Sequence, residues 1–210
     1  MTKNNSESAE LHDLLHEARA GNVAAFEQLF QRHRDTLRQI VALRMDPRLS
    51  SRVDASDIIQ DAHAVAIERF ADYLERQPVS FHVWLRQIVQ DQLLMAYRRH
   101  MRADRRTIHR EIPLPERSSV ALAERLTEHG PTASQQVTRA EQIRRVRVAL
   151  RQLVDEDREI LLLRHFEQLS HKEIGYILHL EPAAARKRYG RALIRLGKIM
   201  RDMGLTESQL

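Results

Sequence analysis

The chain contains no cysteine. That absence removes disulfide frameworks, thiolate nucleophiles and cysteine-ligated zinc or iron–sulfur centres. Glycine and proline are scarce, six of each in 210 residues, which is too few for glycine-rich phosphate loops or many hairpin turns. No uncharged apolar run is long enough to span a bilayer, and the opening residues MTKNNSESAE lack the basic-then-apolar character of a secretory signal. A cytoplasmic chain with no membrane partner is expected. What remains is 42% hydrophobic and 30% charged, a composition that predicts one or two compact, soluble, helical domains.

The net charge of +5 suggests a polyanionic partner, and its distribution sharpens the suggestion. Between Pro182 and Arg201 stand Arg186, Lys187, Arg188, Arg191, Arg195, Lys198 and Arg201 with no acidic residue. From Arg98 to Arg110 arginines outnumber acids, with Asp104 alone in opposition. Between Ser51 and Arg76 the sign reverses: Asp54, Asp57, Asp61, Glu68, Asp72 and Glu75 face only Arg52, Arg69 and Arg76. Two basic blocks and one acidic block imply different partners.

Helical spacing recurs along most of the chain. After a polar tail it joins Leu11, Leu14, Leu15 and Ala18, then, past Gly21-Asn22, Ala25, Phe26, Leu29, Phe30, Leu37 and Ile40. Met45 to Arg52 reads as a loop. A third helix follows through Ile58, Ile59, Ala62, Val65, Ala66 and Phe70, with Asp54 or Ser56 as its cap. Gln77-Pro78 breaks the pattern. Ser80 can cap a fourth helix carrying Trp84, Leu85, Ile88, Leu94 and Met95 into the arginine block. Residues 107–136, rich in Pro, Ser and Gly with weak periodicity near Val120 to Leu126, read as a flexible linker. Helical spacing then resumes with Ile143, Val146, Leu150 and Leu153, and again with Ile160 to Phe166. The expected architecture is all-α: a helical bundle over residues 10–106, the linker, and a smaller helical domain over residues 137–203.

The most informative segment is Ser170 to Leu196. Ser170 and Glu173 have the spacing of a capping box. The helix they start should bury Ile174 and Leu178 and end near His179, and Pro182 suits the first turn of another. In that second helix Ala185, Tyr189, Ala192 and Leu196 form one apolar stripe, so Arg186, Lys187, Arg191 and Arg195 must point elsewhere. A cationic helix presented by a tight turn fits the major groove of duplex DNA, where arginine can donate two hydrogen bonds to guanine.

The segments Arg158 to Phe166 (REILLLRHF), Leu169 to Leu178 (LSHKEIGYIL) and Ala185 to Leu193 (ARKRYGRAL) together resemble region 4 of bacterial RNA polymerase sigma factors. Val53 to Ala62 (VDASDIIQDA) resembles a region 2 helix of that family, and Phe81 to Ile88 (FHVWLRQI) with Tyr97-Arg98-Arg99 resembles its promoter-melting segment. Order and spacing are similar to the extracytoplasmic-function (ECF) type, which has no region 3. This resemblance implies a transcription initiation factor whose first domain binds core RNA polymerase and the minus-ten element and whose second binds the minus-thirty-five element. It implies that Asp57, Gln60 and Asp61 dock on the clamp helices of the largest polymerase subunit, with a further contact at the flap. It implies that Leu74 to Phe81 captures an unstacked minus-ten base, and that Arg76, Ser80, Trp84, Asp91, Arg98, Arg99, Arg102, Arg105 and Arg106 meet the DNA there. Trp84 also suits an apolar stripe, where a lone tryptophan is core. Gln90-Asp91 and Met95 depart from the family pattern. The minus-thirty-five contacts implied are Ala184, Arg186, Lys187, Arg188, Arg191 and Arg195. An anti-sigma factor is a further implied partner, although no residue names one.

Without the resemblance, the basic helix would equally suit a helix-turn-helix regulator binding duplex DNA as a dimer, a reading that leaves Asp57, Gln60 and Asp61 without a task. Catalytic readings fail on spacing. His12 and His16 lack a third metal ligand, and His33-Arg34-Asp35 stands in a helical pattern with no glycine-rich loop. Asp155, Glu156 and Asp157 suit a helix start better than acid–base chemistry. No enzyme, cofactor or metal is expected.

Overall fold

A computed structural model describes residues 2–77, 79–100, 114–127 and 136–204. All regular structure among them is α-helical. The chain divides into two compact units, residues 1–110 and 111–210. No helix among the described residues is long and apolar enough to cross a membrane.

The first unit contains α1 (Thr2–Arg19), α2 (Val23–Arg44), the single turn α3 (Pro47–Ser50), α4 (Ala55–Arg76) and α5 (Phe81–His100). The backbone is helical from Thr2, so the expected polar tail is the first part of α1. Asn22 caps α2, its side-chain oxygen accepting from the N–H groups of Ala24 and Ala25. Asp46 caps α3 in the same way, with Pro47 at the first helical position, so the expected loop includes one helical turn. The core is built by Phe26, Leu29, Phe30, Leu37 and Ile40 of α2, Ile58, Ile59, Ala62, Ala66 and Phe70 of α4, and Phe81, Trp84, Leu85 and Ile88 of α5. Farther along α5 the buried stripe passes through Leu93, Ala96 and Tyr97, while Met95 is exposed. Tyr97 fastens this end: its hydroxyl donates to the carbonyl of Arg44 and accepts from the N–H of Asp46.

The second unit contains α6 (Glu116–Leu126), α7 (Gln136–Arg151), α8 (Asp155–His165), α9 (His171–Leu178) and α10 (Pro182–Asp202). Helix α6 corrects the expected linker. Its buried face is Ser118, Ser119, Leu122 and Ala123, and it packs against α7 and α8. Glu116 anchors its first turn through ion pairs to Arg147 and Arg151. Two of those four buried positions are serine, which weakens the apolar periodicity of the segment. Leu150, Leu153, Ile160, Leu161, Leu162, Leu163, Ile174, Ala185, Ala192 and Leu196 complete the core.

His33, on α2, lies against the rings of Phe81 and His82. Burial, then the neighbouring His82 and Arg32, lower its pKa from 6.5 to about 4. The unfolded chain therefore takes up a proton near pH 6.5 that the folded unit refuses until about pH 4. Stability present above pH 6.5 is lost as the pH falls through that window, by on the order of 2 kcal/mol. Thermal unfolding followed by the fluorescence of Trp84, the sole tryptophan, should show a lower midpoint at pH 5 than at pH 7. In His33→Gln that difference should shrink.

Candidate nucleic-acid interface

The helix-turn-helix of the second unit is fixed at each end of α9. Ser170 and Glu173 close a reciprocal capping box: the Glu173 carboxylate accepts from the Ser170 N–H at 2.9 Å, and the Ser170 hydroxyl accepts from the Glu173 N–H at 3.3 Å. At the other end His179 turns left-handed, with φ 53°, and the Leu180 N–H donates to the Gly175 carbonyl at 2.8 Å. The turn folds back so tightly that a Cβ on Gly175 would lie 2.6 Å from the Leu180 carbonyl oxygen. Pro182 then opens α10.

Helix α10 buries Ala185, Ala192, Leu196 and Met200 and leaves Ala184, Arg186, Lys187 and Arg191 exposed. Lys187, Arg191, Ile194 and Lys198 recur along the face opposite the buried stripe. Ile194 is 70% exposed among these cations. Tyr189, expected within the buried stripe, lies at its edge. Its ring contacts His165 and His171, and its hydroxyl is 3.1 Å from His165 Nε2. Burial, then the charge of Arg164, lower the pKa of His165; for His171 the causes are burial, Arg164 and Arg186.

Arg195, one of the expected DNA-contacting residues, also carries a structural ion pair. Its guanidinium is 2.5 Å from a carboxylate oxygen of Asp157, whose side chain is 3% exposed. This pair joins α8 to α10 and neutralises a buried charge. Asp157 itself was expected near a helix cap; the N-cap is Val154, and Asp155, Glu156 and Asp157 occupy the first turn of α8, where the helix dipole favours them. Arg188 is half-buried on the same flank of α10 as Arg195.

In the first unit, α4 presents Asp57, Gln60 and Asp61 at its exposed N-terminal end, with Ile67, Glu68 and Asp72 exposed farther along. Asp54, rather than Ser56, is the cap. Its carboxylate accepts from the Ser56 N–H at 2.7 Å, a bond that lowers its pKa. Asp57 returns the contact by accepting from the Asp54 N–H at 3.0 Å. Asp57 therefore has a local structural task in addition to any docking role.

The residues expected to meet minus-ten DNA separate into groups. Trp84 is a core residue: it is 8% exposed and stacked on Tyr73 with ring centroids 4.6 Å apart, so it has no open face for a base. Arg76 is exposed at the end of α4, and Ser80 is exposed immediately before α5. Asp91 is half-buried and accepts from Gln87. Arg98 and Arg99 are exposed near the end of α5, whose His100 carbonyl accepts from Arg52. Arg102, Arg105 and Arg106 lie outside the described residues, as does the side chain of His12.

A capped helix-turn-helix with a cationic second helix offers a surface suited to duplex DNA, and the acidic helix adds a second, electrostatically opposite surface. Comparison with known proteins identifies the class. Residues 29–103 match the family described as "Sigma-70 region 2", and residues 143–196 match "Sigma-70, region 4". The chain is 32% identical over 186 residues to the "Probable RNA polymerase sigma factor RfaY" of Xanthomonas campestris pv. campestris, covering 88% of this chain and 42% of that protein. It is 28% identical over 184 residues to the RNA polymerase sigma factor CnrH of Cupriavidus metallidurans, covering 88% of this chain and 91% of that protein. The chain thus spans less than half of the first relative's length and most of the second's. The solved "RsbN-BldN complex" aligns over 88% of this chain and 98% of that one at 19% identity, with a TM-score of only 0.33. The chain belongs to the sigma-70 family of RNA polymerase sigma factors.

The two arginines of α10 make a discriminating pair. Arg195→Ala should destabilise the second unit by roughly 2 kcal/mol, because Asp157 is left buried without its counter-ion. Arg191→Ala should leave the unfolding midpoint unchanged and lower duplex affinity; circular-dichroism melts beside salt-titrated DNA binding would separate the effects. Gly175→Ala should also destabilise this unit, by about 1–3 kcal/mol, through the clash with the Leu180 carbonyl. An unchanged melt would contradict that close approach.

Proposed function

We propose that this chain is a transcription initiation factor that binds core RNA polymerase and directs it to specific promoters. The observation that carries the reading is the cationic face of α10 behind the Gly175–Leu180 turn. Alanine at position 184 leaves the start of α10 unobstructed, while Arg186, Lys187 and Arg191 supply base-edge donors and phosphate contacts. The second unit thereby reads duplex DNA at the minus-thirty-five element. Arg195 acts indirectly, holding α10 against α8. The exposed acids and Gln60 of α4 support docking of the first unit on a basic surface of the polymerase, namely the clamp helices, with the flap as a second contact.

Promoter opening falls to the segment between α4 and α5, which captures an unstacked minus-ten base. Arg76 and Ser80 border it, and Arg98 and Arg99 extend the positive surface toward the upstream duplex, where phosphate contacts make affinity salt-dependent. The protein contributes recognition and melting, with no catalytic step of its own, and works where the polymerase works, in the cytoplasm. An anti-sigma factor that covers these surfaces is the regulator this reading calls for.

Run-off transcription with core polymerase of the source organism on a genomic promoter pool tests the proposal. Discrete new start sites sharing an upstream motif are expected only when the protein is present. Salt-sensitive duplex binding without new transcripts would instead identify an ordinary helix-turn-helix regulator. On a promoter so mapped, replacing Arg186 and Lys187 together by alanine should abolish specific initiation while polymerase still co-purifies. Asp61→Lys should do the reverse, weakening co-purification while duplex binding persists. Asp61 is the cleaner probe, since Asp57 also closes the cap of α4.

A further inference from the structure

Helix α4 ends in an unusual clasp. Its last carbonyls have no partners within the helix. The Tyr73 carbonyl accepts from the N–H of Gln77 at 2.7 Å, and Gln77 itself turns left-handed, with φ 35°. The Tyr73 hydroxyl reaches past this reversal and donates to the Val79 carbonyl at 3.2 Å. One residue therefore grips both sides of the turn. From outside, the Arg19 guanidinium donates to the Leu74 carbonyl at 2.6 Å, tying the end of α1 to the end of α4.

The Tyr73 ring is itself immobilised. It lies parallel to Phe70 at 6.3 Å, stacks on Trp84 at 4.6 Å and meets Phe81 at 5.7 Å. Trp84 and Phe81 belong to the first turn of α5, and the Trp84 N–H donates to the Ser80 carbonyl. Both ends of the connection between α4 and α5 are thus referred to one aromatic stack. A segment that must receive a base flipped from its stack gains affinity when the backbone on either side of it is already held, because ordering those residues on binding would cost conformational entropy.

We infer that Tyr73 and Arg19 are positioning residues for minus-ten base capture, setting the backbone at Leu74, Gln77 and Val79 on either side of the α4–α5 connection without touching DNA. The inference rests on the reading of that connection as the capture segment. It also gives Trp84 a task from within the core: the ring supports Tyr73 in place of stacking on a base.

The test uses holoenzyme assembled from core polymerase and the full chain. The probe is a fluorescent single-stranded non-template oligonucleotide covering the minus-ten region of a promoter mapped by run-off transcription. Tyr73→Phe keeps the stacked ring and deletes only the hydroxyl; Arg19→Gln changes an exposed side chain and deletes the bond to Leu74. Each variant should bind the oligonucleotide about fivefold more weakly, the effect of one lost hydrogen bond. Affinity for core polymerase and for a minus-thirty-five duplex should stay unchanged. Unaltered oligonucleotide affinity in both variants would overturn the inference, as would equal losses in all three measurements, the mark of a general structural role. If the wild-type holoenzyme fails to retain the oligonucleotide, the capture reading falls and this inference with it. That result is distinguishable because it appears before any substitution is made.

Discussion

An α-helix leaves its first N–H groups and last carbonyls without intrahelical partners, and these must be satisfied wherever a helix ends near other structure. In this chain that requirement shapes the proposed functional surfaces. Ser170 and Glu173 satisfy the start of α9, and the Leu180 N–H returns to the Gly175 carbonyl at its end. The direction in which α10 leaves the turn follows from those bonds. Asp54 and Asp57 satisfy the start of α4, and Gln77 with Arg19 satisfies its end. Each surface assigned a task is therefore adjacent to a helix terminus whose hydrogen bonds fix it.

Charge is divided in a similar way between structural and binding work. A buried carboxylate is costly unless paired, and Asp157 draws Arg195 into that role. Arg186, Lys187 and Arg191 remain on the exposed surface, where their cost is small and their attraction to phosphate is undiminished. The acidic end of α4 belongs to the other unit, so the two oppositely charged surfaces lie in different units. The proposed function pairs the chain with two kinds of partner, a protein and a polyanion, and opposite surface charges provide one electrostatic filter for each.

Much of this was legible in the sequence because it rests on local spacing. The capping box at Ser170, the end of α9 near His179, the opening of α10 at Pro182 and the exposure of Arg186, Lys187 and Arg191 all follow from neighbours a few residues apart. Features that depend on distant residues were not legible. The ion pair of Arg195 spans 38 positions, and the contact of Arg19 with Leu74 spans 55. Helix α6 was masked by serines that pack as small residues, and Arg44 and Arg86 are buried to 1% exposure in a core where periodicity admits only apolar side chains. Gly175 could have been suspected, since a glycine inside a strongly capped helix needs a reason, but the reason is a carbonyl five residues away across a turn.

Trp84 illustrates how composition and geometry can point to opposite sides of one surface. A single tryptophan beside a segment proposed to melt DNA suggests stacking on a base, since its ring offers the largest such face. Yet α5 begins at Phe81, which puts Trp84 within the first turn and in register with Leu85 and Ile88, the inward stripe. From there the ring reaches Tyr73, Phe70 and Phe81, and the energy available to it comes from burial among these aromatic neighbours. Exposing one face to receive a base would forfeit part of that burial and loosen the stack that holds Tyr73. The tryptophan therefore serves the proposed capture segment better from behind, where its rigidity is transmitted through the Tyr73 hydroxyl to the backbone at Val79.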